Sequence, residues 1–212
     1  MRIGIVGGTG KEGVGLGLRW AQAGHEVIIG SRDAERARAK AAELQGPGRR
    51  VDGKSNRDAA AAAEVVVLTV PATGLSATLP ELREACRGKV VVSTVVPLTF
   101  GGGRLFTPPP QGSAAEEAQE ILGPEVRVVA AFHHIAAHEL AETEHAIECD
   151  LLACGDAEAK KVVSDLGASM GLRPVDVGAL TNAGPIEGIT AVLATINRRY
   201  KLKNSGIKIS GL

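Results

Sequence analysis

The residues with the clearest chemistry stand near the amino terminus. Gly8-Thr9-Gly10-Lys11-Glu12-Gly13 forms a GxGxxG directly after the apolar run Arg2-Ile3-Gly4-Ile5-Val6 and directly before a stretch of helical period from about Lys11 to Ala23. In a strand–turn–helix of this kind the first glycine permits the tight turn, and the second lets backbone approach a pyrophosphate. The third lets the helix pack on its strand, while free amides and the positive end of the helix dipole draw an anion. Lys11 is followed by Glu12 and not by Ser or Thr, which excludes a P-loop. About twenty residues on, a site for an unphosphorylated adenosine ribose would carry a carboxylate. Here stand Ser31-Arg32, with Arg36 one helical turn beyond. A hydroxyl and two guanidiniums suit a 2′-phosphate, which a carboxylate would repel and which Arg grips with parallel hydrogen bonds. Thr9 can add a second hydroxyl. NADP(H) is favoured over NAD; Asp33 argues the other way, since it can reach a ribose as well as cap the helix that follows.

Two further groups belong to the same edge. Thr69-Val70-Pro71 and Thr94-Val95-Val96-Pro97 end two β-branched runs and read as apolar walls that leave room for a nicotinamide ring and keep water from a hydride path. Phe132-His133-His134-Ile135-Ala136-Ala137-His138-Glu139 holds three of the five histidines. His134 and His138 are spaced i, i+4, yet Glu139 follows His138, so the HExxH order of a zinc protease is absent. Three readings stand side by side: histidines hydrogen-bonded or facing solvent, a substrate-binding role at a strand end, and a metal site. No metal site and no catalytic acid or base is assigned, because a GxSxG elbow, a Ser/Lys/Tyr pattern and an isolated carboxylate pair are all missing. Direct hydride exchange between two rings needs positioning and a dry pocket more than a proton donor.

The elements that must position these residues follow from alternation of short β-branched runs with Ala-rich stretches, the pattern of strands joined by crossover helices. Strands are expected at 2–6, 26–30, near Val51, and at 65–70, 89–94 and 126–131; helices at 11–23, 34–44, 56–63, 75–86 and from Ser113, which with Glu116 makes a capping box, through Leu122. Pro97 to Ser113 is a loop long enough to suspect function. From Asp150 come a strand at 151–154, a helix at 157–170, a strand at 174–177 and an apolar helix at 184–200. The fold class is α/β, a Rossmann-type doubly wound parallel sheet with residues 1–149 as the dinucleotide-binding domain and 150–212 as a smaller α/β lobe. The last helix carries Ile186, Ile189, Val192, Leu193 and Ile196 as core or as a dimer seam.

The chain has 212 residues, 44% hydrophobic and 23% charged, enough for a self-sufficient core. Its 24 basic and 24 acidic residues balance to zero, which offers no electrostatic footprint for nucleic acid or an anionic membrane. The five aromatics, Trp20, Phe100, Phe106, Phe132 and Tyr200, are too scattered to stack single strands. Three cysteines without a CxxC pair read as reduced thiols, and no apolar run is long enough for a secretory signal or a bilayer span, so a cytoplasmic protein is expected.

Taken together, these residues resemble the NADPH-dependent reductases of coenzyme F420, an 8-hydroxy-5-deazaflavin. The likeness rests on Met1-Arg2-Ile3-Gly4-Ile5-Val6-Gly7-Gly8-Thr9-Gly10, Gly24-His25-Glu26-Val27 leading to Gly30-Ser31-Arg32, Val67-Leu68-Thr69-Val70-Pro71, Val91-Val92-Ser93 with Val96-Pro97, Ser113-Ala114-Ala115-Glu116, Cys154-Gly155-Asp156 and Gly206-Ile207-Lys208-Ile209. It implies a homodimer that binds NADP(H), with the deazaflavin as co-substrate lying over the nicotinamide. It also implies that Thr9, Gly10, Lys11 and Glu12 follow the pyrophosphate, that Ser31, Arg32 and Arg36 hold the 2′-phosphate, that Val96 and Ala137 lie near the nicotinamide, and that His133 and Ile135 lie beside the deazaflavin. His134 and Ala136 depart from archaeal members, which carry Thr and Pro there, and Ser210-Gly211-Leu212 is similar to the bacterial branch. The expected activity is hydride transfer between NADP(H) and the deazaflavin. The alternatives are an NADPH-dependent flavin, imine or carbonyl reductase on the same domain, and a non-catalytic NADP sensor.

Overall fold

The computed structural model describes residues 1–101 and 103–212; of the Pro97–Ser113 loop, Gly102 lies outside the described residues. Eight strands form one sheet in the order β3-β2-β1-β4-β5-β6-β7-β8: β1 (Arg2–Val6), β2 (Glu26–Ser31), β3 (Arg50–Ser55), β4 (Val65–Leu68), β5 (Val90–Ser93), β6 (Arg127–Ala130), β7 (Asp150–Gly155) and β8 (Arg173–Asp176). Alternate residues of the central strands enter two separate cores. Ile3, Ile5, Val65, Val67 and Val92 face one, while Val6, Val66, Leu68 and Val91 face the other. This is the period of two expected of strands buried on both sides.

The helices divide between the same two faces. The first core is closed by Leu16 and Trp20 of α1 (Lys11–Gln22), Ala37 and Ala41 of α2 (Ala34–Leu44), and Val163 and Leu166 of α8 (Ala157–Ala168). The second is closed by α3 (Asn56–Ala62), the short α4 (Leu75–Thr78) and α5 (Arg83–Cys86), α6 (Ala114–Leu122) and α9 (Ala183–Tyr200). α7 (Ala137–Ala141) stands beside α1. Two caps fall where the sequence offers them, Asp33 accepting from the Glu35 and Arg36 amides and Ser113 from that of Glu116; the structure adds Ser55, which accepts from the Asp58 amide.

Two expectations change. The helix read over 75–86 is broken into α4, a 3₁₀ turn at Leu79–Leu82 and α5. Pro80 lacks an amide and its ring collides with the preceding turn, so a continuous helix is not available. The sheet is parallel from β3 through β6, but β7 runs antiparallel to β6 and β8 follows β7. The reason lies in residues 131–149, whose one helix, α7, has only 5 residues. Without a long crossover helix the chain returns into the sheet from the end at which it left.

Candidate functional site

Winding reverses between β1 and β4, where the chain first builds outward to β2 and β3 and then crosses back, so a crevice opens at the carboxyl ends of these two strands. The glycine turn stands over it. The Gly8 amide donates to the carbonyls of Ile5 (3.2 Å) and Gly30 (2.9 Å), and the Gly10 amide to Gly7 (3.3 Å). The Gly7 amide donates to Asn56 Oδ1 at 3.0 Å. Asn56, buried at the start of α3, was missed by sequence reasoning; it opens the helix beside Arg57 and Asp58, and nothing in the sequence sets it apart from them.

The glycines of the motif serve different ends. A Cβ on Gly13 would stand 2.6 Å from Gly8 Cα and 2.9 Å from Thr69 Oγ1, and one on Gly8 would stand 2.8 Å from the Ile5 carbonyl. These positions are glycine for the protein's own packing. A Cβ on Gly10 would meet nothing closer than the Gly7 carbonyl at 3.8 Å. The room beside Gly10 therefore belongs to whatever binds. Gly10 is the N-cap of α1 and supplies no side-chain acceptor, which leaves the first-turn amides directed into the crevice. Thr9 is half-buried, while Gly10 and Lys11 are exposed.

Glu12 carries a sealed carboxyl oxygen, Oε1, with no hydrogen-bond partner among the described residues. Burial pushes this carboxyl up to about 8, so near neutrality it is uncharged and does not oppose an anion.

At the end of β2, Ser31 is buried and its Oγ accepts from the Asp33 amide at 3.2 Å. The Asp33 carboxylate in turn takes the Glu35 and Arg36 amides at 2.9 and 3.3 Å. The acid that argued for NAD is thus engaged as a helix cap. Arg32 and Arg36 are exposed, and among the described residues neither has an ion-pair partner, whereas Arg38 is held by Glu35. Two free guanidiniums and a hydroxyl at a strand end fit a phosphate.

Along the edge, Thr69 Oγ1 donates to the Val6 carbonyl (3.0 Å) and Thr94 Oγ1 to the Leu68 carbonyl (2.9 Å). Both hydroxyls stitch neighbouring strands together, so the mouth is left to the half-buried Val70 and Val96. Beyond β6, Phe132 adopts φ +66°, a left-handed conformation rare for a bulky side chain, and packs edge-on against Trp20 at 5.4 Å. That bend turns His133 and His134 inward.

Both ring nitrogens of His133 are buried without a partner among the described residues, and burial, aided by His134, pushes its pKa down to about 3. His134 Nε2 lies 2.8 Å from the Asp150 carbonyl and 3.4 Å from the Leu152 amide, while among the described residues Nδ1 is buried without a partner. Its ring lines a recess of about 90 Å³ with Ile135 and Cys149 on one hand and Glu139, Glu148 and Asn204 on the other. His138 is instead exposed, 3.9 Å from Glu142. Among the described residues no three His, Cys, Asp or Glu side chains converge.

Residues 9–12, Ser31, Arg32, Val96 and the 133–137 segment therefore lie at one edge, on the ends of β1, β2, β5 and β6, with Arg36 one turn into α2. From β2 to β6 the row spans four strand spacings, about 19 Å.

Fold and site define a dinucleotide-binding α/β protein of the Rossmann type with a second recess, of mixed polar and apolar lining, beyond the crevice. Residues 2–97 match the family described as NADP oxidoreductase coenzyme F420-dependent. The chain is 43% identical to the F420-dependent NADP reductase of Methanothermobacter thermautotrophicus over 222 residues, covering 100% of this chain and 96% of the relative. It is 42% identical to the reductase of the same name from Methanocaldococcus jannaschii, covering 100% and 99%. A solved structure of a candidate F420-dependent NADP reductase from Arthrobacter sp. FB24 has a TM-score of 0.84 at 28% identity, covering 98% of each chain. The chain belongs to the F420-dependent NADP oxidoreductase family.

Proposed function

We propose that this protein transfers a hydride between NADP(H) and the deazaflavin coenzyme F420. The observation that carries the reading is the open space at Gly10 beside an uncapped helix start, with Arg32 at the next strand end and Arg36 one turn into α2 both without an ion-pair partner among the described residues. In this reading Thr9, Gly10, Lys11 and Glu12 follow the pyrophosphate, and Ser31, Arg32 and Arg36 grip the 2′-phosphate. Val96 and Ala137 flank the nicotinamide, which supplies the transferable hydride when bound. His133 and Ile135 stand beside the deazaflavin. Their burial supports a dry contact between the two rings. His133, held neutral, orients the ring and moves no proton.

Residues 1–149 form the NADP-binding part in this proposal. Residues 150–212 form a small substrate and dimerisation lobe whose strands continue the same sheet. Exposed Val192, Tyr200 and Leu202 on and after α9 support a homodimer, and three free cysteines support a cytoplasmic setting. The proposed partners are small molecules, not nucleic acid or membrane; among the described residues no helix is long and apolar enough to cross a bilayer.

The test mixes purified protein with NADPH and oxidised F420 and follows loss of the deazaflavin's visible absorbance, with flavin mononucleotide as the control acceptor. F420 reduction is expected. Turnover of the flavin alone would replace the assignment by a flavin reductase, and NADPH binding without turnover of any acceptor by a sensor.

A further inference from the structure

Arg19 lies on α1, between the glycine turn and the helix's carboxyl end, and is 8% exposed. Among the described residues it has no carboxylate at ion-pair distance; its guanidinium is spent wholly on backbone. Nε donates to the Leu140 carbonyl at 3.2 Å, and Nη2 points to those of Glu139 (2.7 Å), Glu142 (2.8 Å) and His145 (3.1 Å). These four carbonyls belong to the end of α7 and the turn after it. A helix of 5 residues does not hold itself in water, and its last carbonyls need donors and a positive charge.

The neighbouring side chain grips the other end of the same segment. Trp20 packs edge-on against Phe132 and donates Nε1–H to the Leu166 carbonyl at 3.2 Å. Gly15, one turn earlier, lets α7 close in: a Cβ there would stand 2.6 Å from Leu140 Cβ. Consecutive residues of α1 thus hold both ends of segment 132–145, which carries His133, Ile135 and Ala137. The start of the same helix forms the floor of the Gly10 space.

We propose that Arg19 is a positioning residue that ties the acceptor-facing segment to the cofactor-binding helix and so sets the separation of the two reacting rings. The inference rests on the proposed function. Packing alone would be served by an apolar side chain; a desolvated guanidinium with four acceptors fixes direction as well as contact.

The test compares Arg19→Lys, Arg19→Met and Arg19→Gly in the full chain, well below each melting temperature. NADPH affinity, read by fluorescence titration, is expected to stay within about twofold of the parent, because the first-turn amides are untouched. The KM for F420 is expected to rise, or kcat to fall, by about tenfold in Arg19→Met and less in Arg19→Lys, as misplacement of reacting groups predicts. Millimolar guanidinium ion should restore part of the lost rate in Arg19→Gly. Folded variants with parental F420 kinetics, or with F420 and NADPH binding lost in step, would overturn the proposal. If no variant folds, hydrogen exchange on the parent decides. Amides of 137–145 protected as strongly as those of α1 support the tie, and independent fast exchange refutes it. A parent that never reduces F420 would instead refute the functional reading.

Discussion

Replacing Gly10 and Gly13 one at a time by alanine separates cofactor binding from folding within a single motif. Gly10 has φ −78° and its nearest neighbour to an added methyl is 3.8 Å away, so the fold accepts alanine there. Losing glycine at an N-cap costs about 0.5–1 kcal/mol, and a stiffer unfolded chain returns about 0.4–1 kcal/mol. The melting temperature of Gly10→Ala should therefore stay within about 4 °C of the parent. The methyl would occupy the space in which a pyrophosphate lies against bare backbone. Overpacking of that kind costs about 1–3 kcal/mol, or roughly 5- to 150-fold in the NADPH dissociation constant. In Gly13→Ala the methyl would stand 2.6 Å from Gly8 Cα and 2.9 Å from Thr69 Oγ1, atoms that cannot move without shifting the turn or unstitching β4 from β1. Here stability should fall by about 1–3 kcal/mol, a drop of roughly 3–10 °C. Thermal melts paired with NADPH fluorescence titrations give both numbers. Parental NADPH affinity in Gly10→Ala would refute the reasoning, since the diphosphate would then lie elsewhere.

Arg32→Ala should weaken NADPH by roughly tenfold to a hundredfold, the worth of one charge-assisted hydrogen-bond pair at about 1.5–3 kcal/mol, and leave NADH almost unchanged; equal losses for both cofactors would remove the phosphate-grip argument. Glu12 gives a pH dependence of known sign. In the fold it keeps its proton up to about 8, while in the unfolded chain it loses it in the ordinary carboxylate range, so stability declines as pH rises between the two. NADPH affinity should likewise fall as pH rises through about 8, where a carboxylate appears under the pyrophosphate, and Glu12→Gln should flatten that limb; an unchanged limb in the variant would count against it. His133, held down at about 3, is neutral throughout the assay range, so His133→Asn should raise the KM for F420 without changing the shape of the rate profile. An inflection in the usual imidazole range that disappears in the variant would contradict the burial argument.

Much of this protein was legible in local order. The spacing of Gly8, Gly10 and Gly13 between a β-branched run and a helical period gave the turn, and the capping residues Asp33 and Ser113 fell where their side chains predict. Ser31-Arg32 in place of an acid pointed to a phosphate, and runs such as Val65–Leu68 declared strands buried on both faces. Each of these follows from interactions among residues a few positions apart, which a sequence displays directly. The rest was decided by contacts the sequence does not order. Asn56 reaches Gly7 across 49 positions, and Arg19 reaches the carbonyls of 139–145 across 120 or more. The reversal at β7, the partnerless ring of His133 and the neutral carboxyl of Glu12 likewise exist only once elements pack. Burial and hydrogen-bond pairing are properties of the surroundings, not of the residue, so the amino acids supplied the chemical groups and the packing of distant segments determined their charge, their partners and their direction.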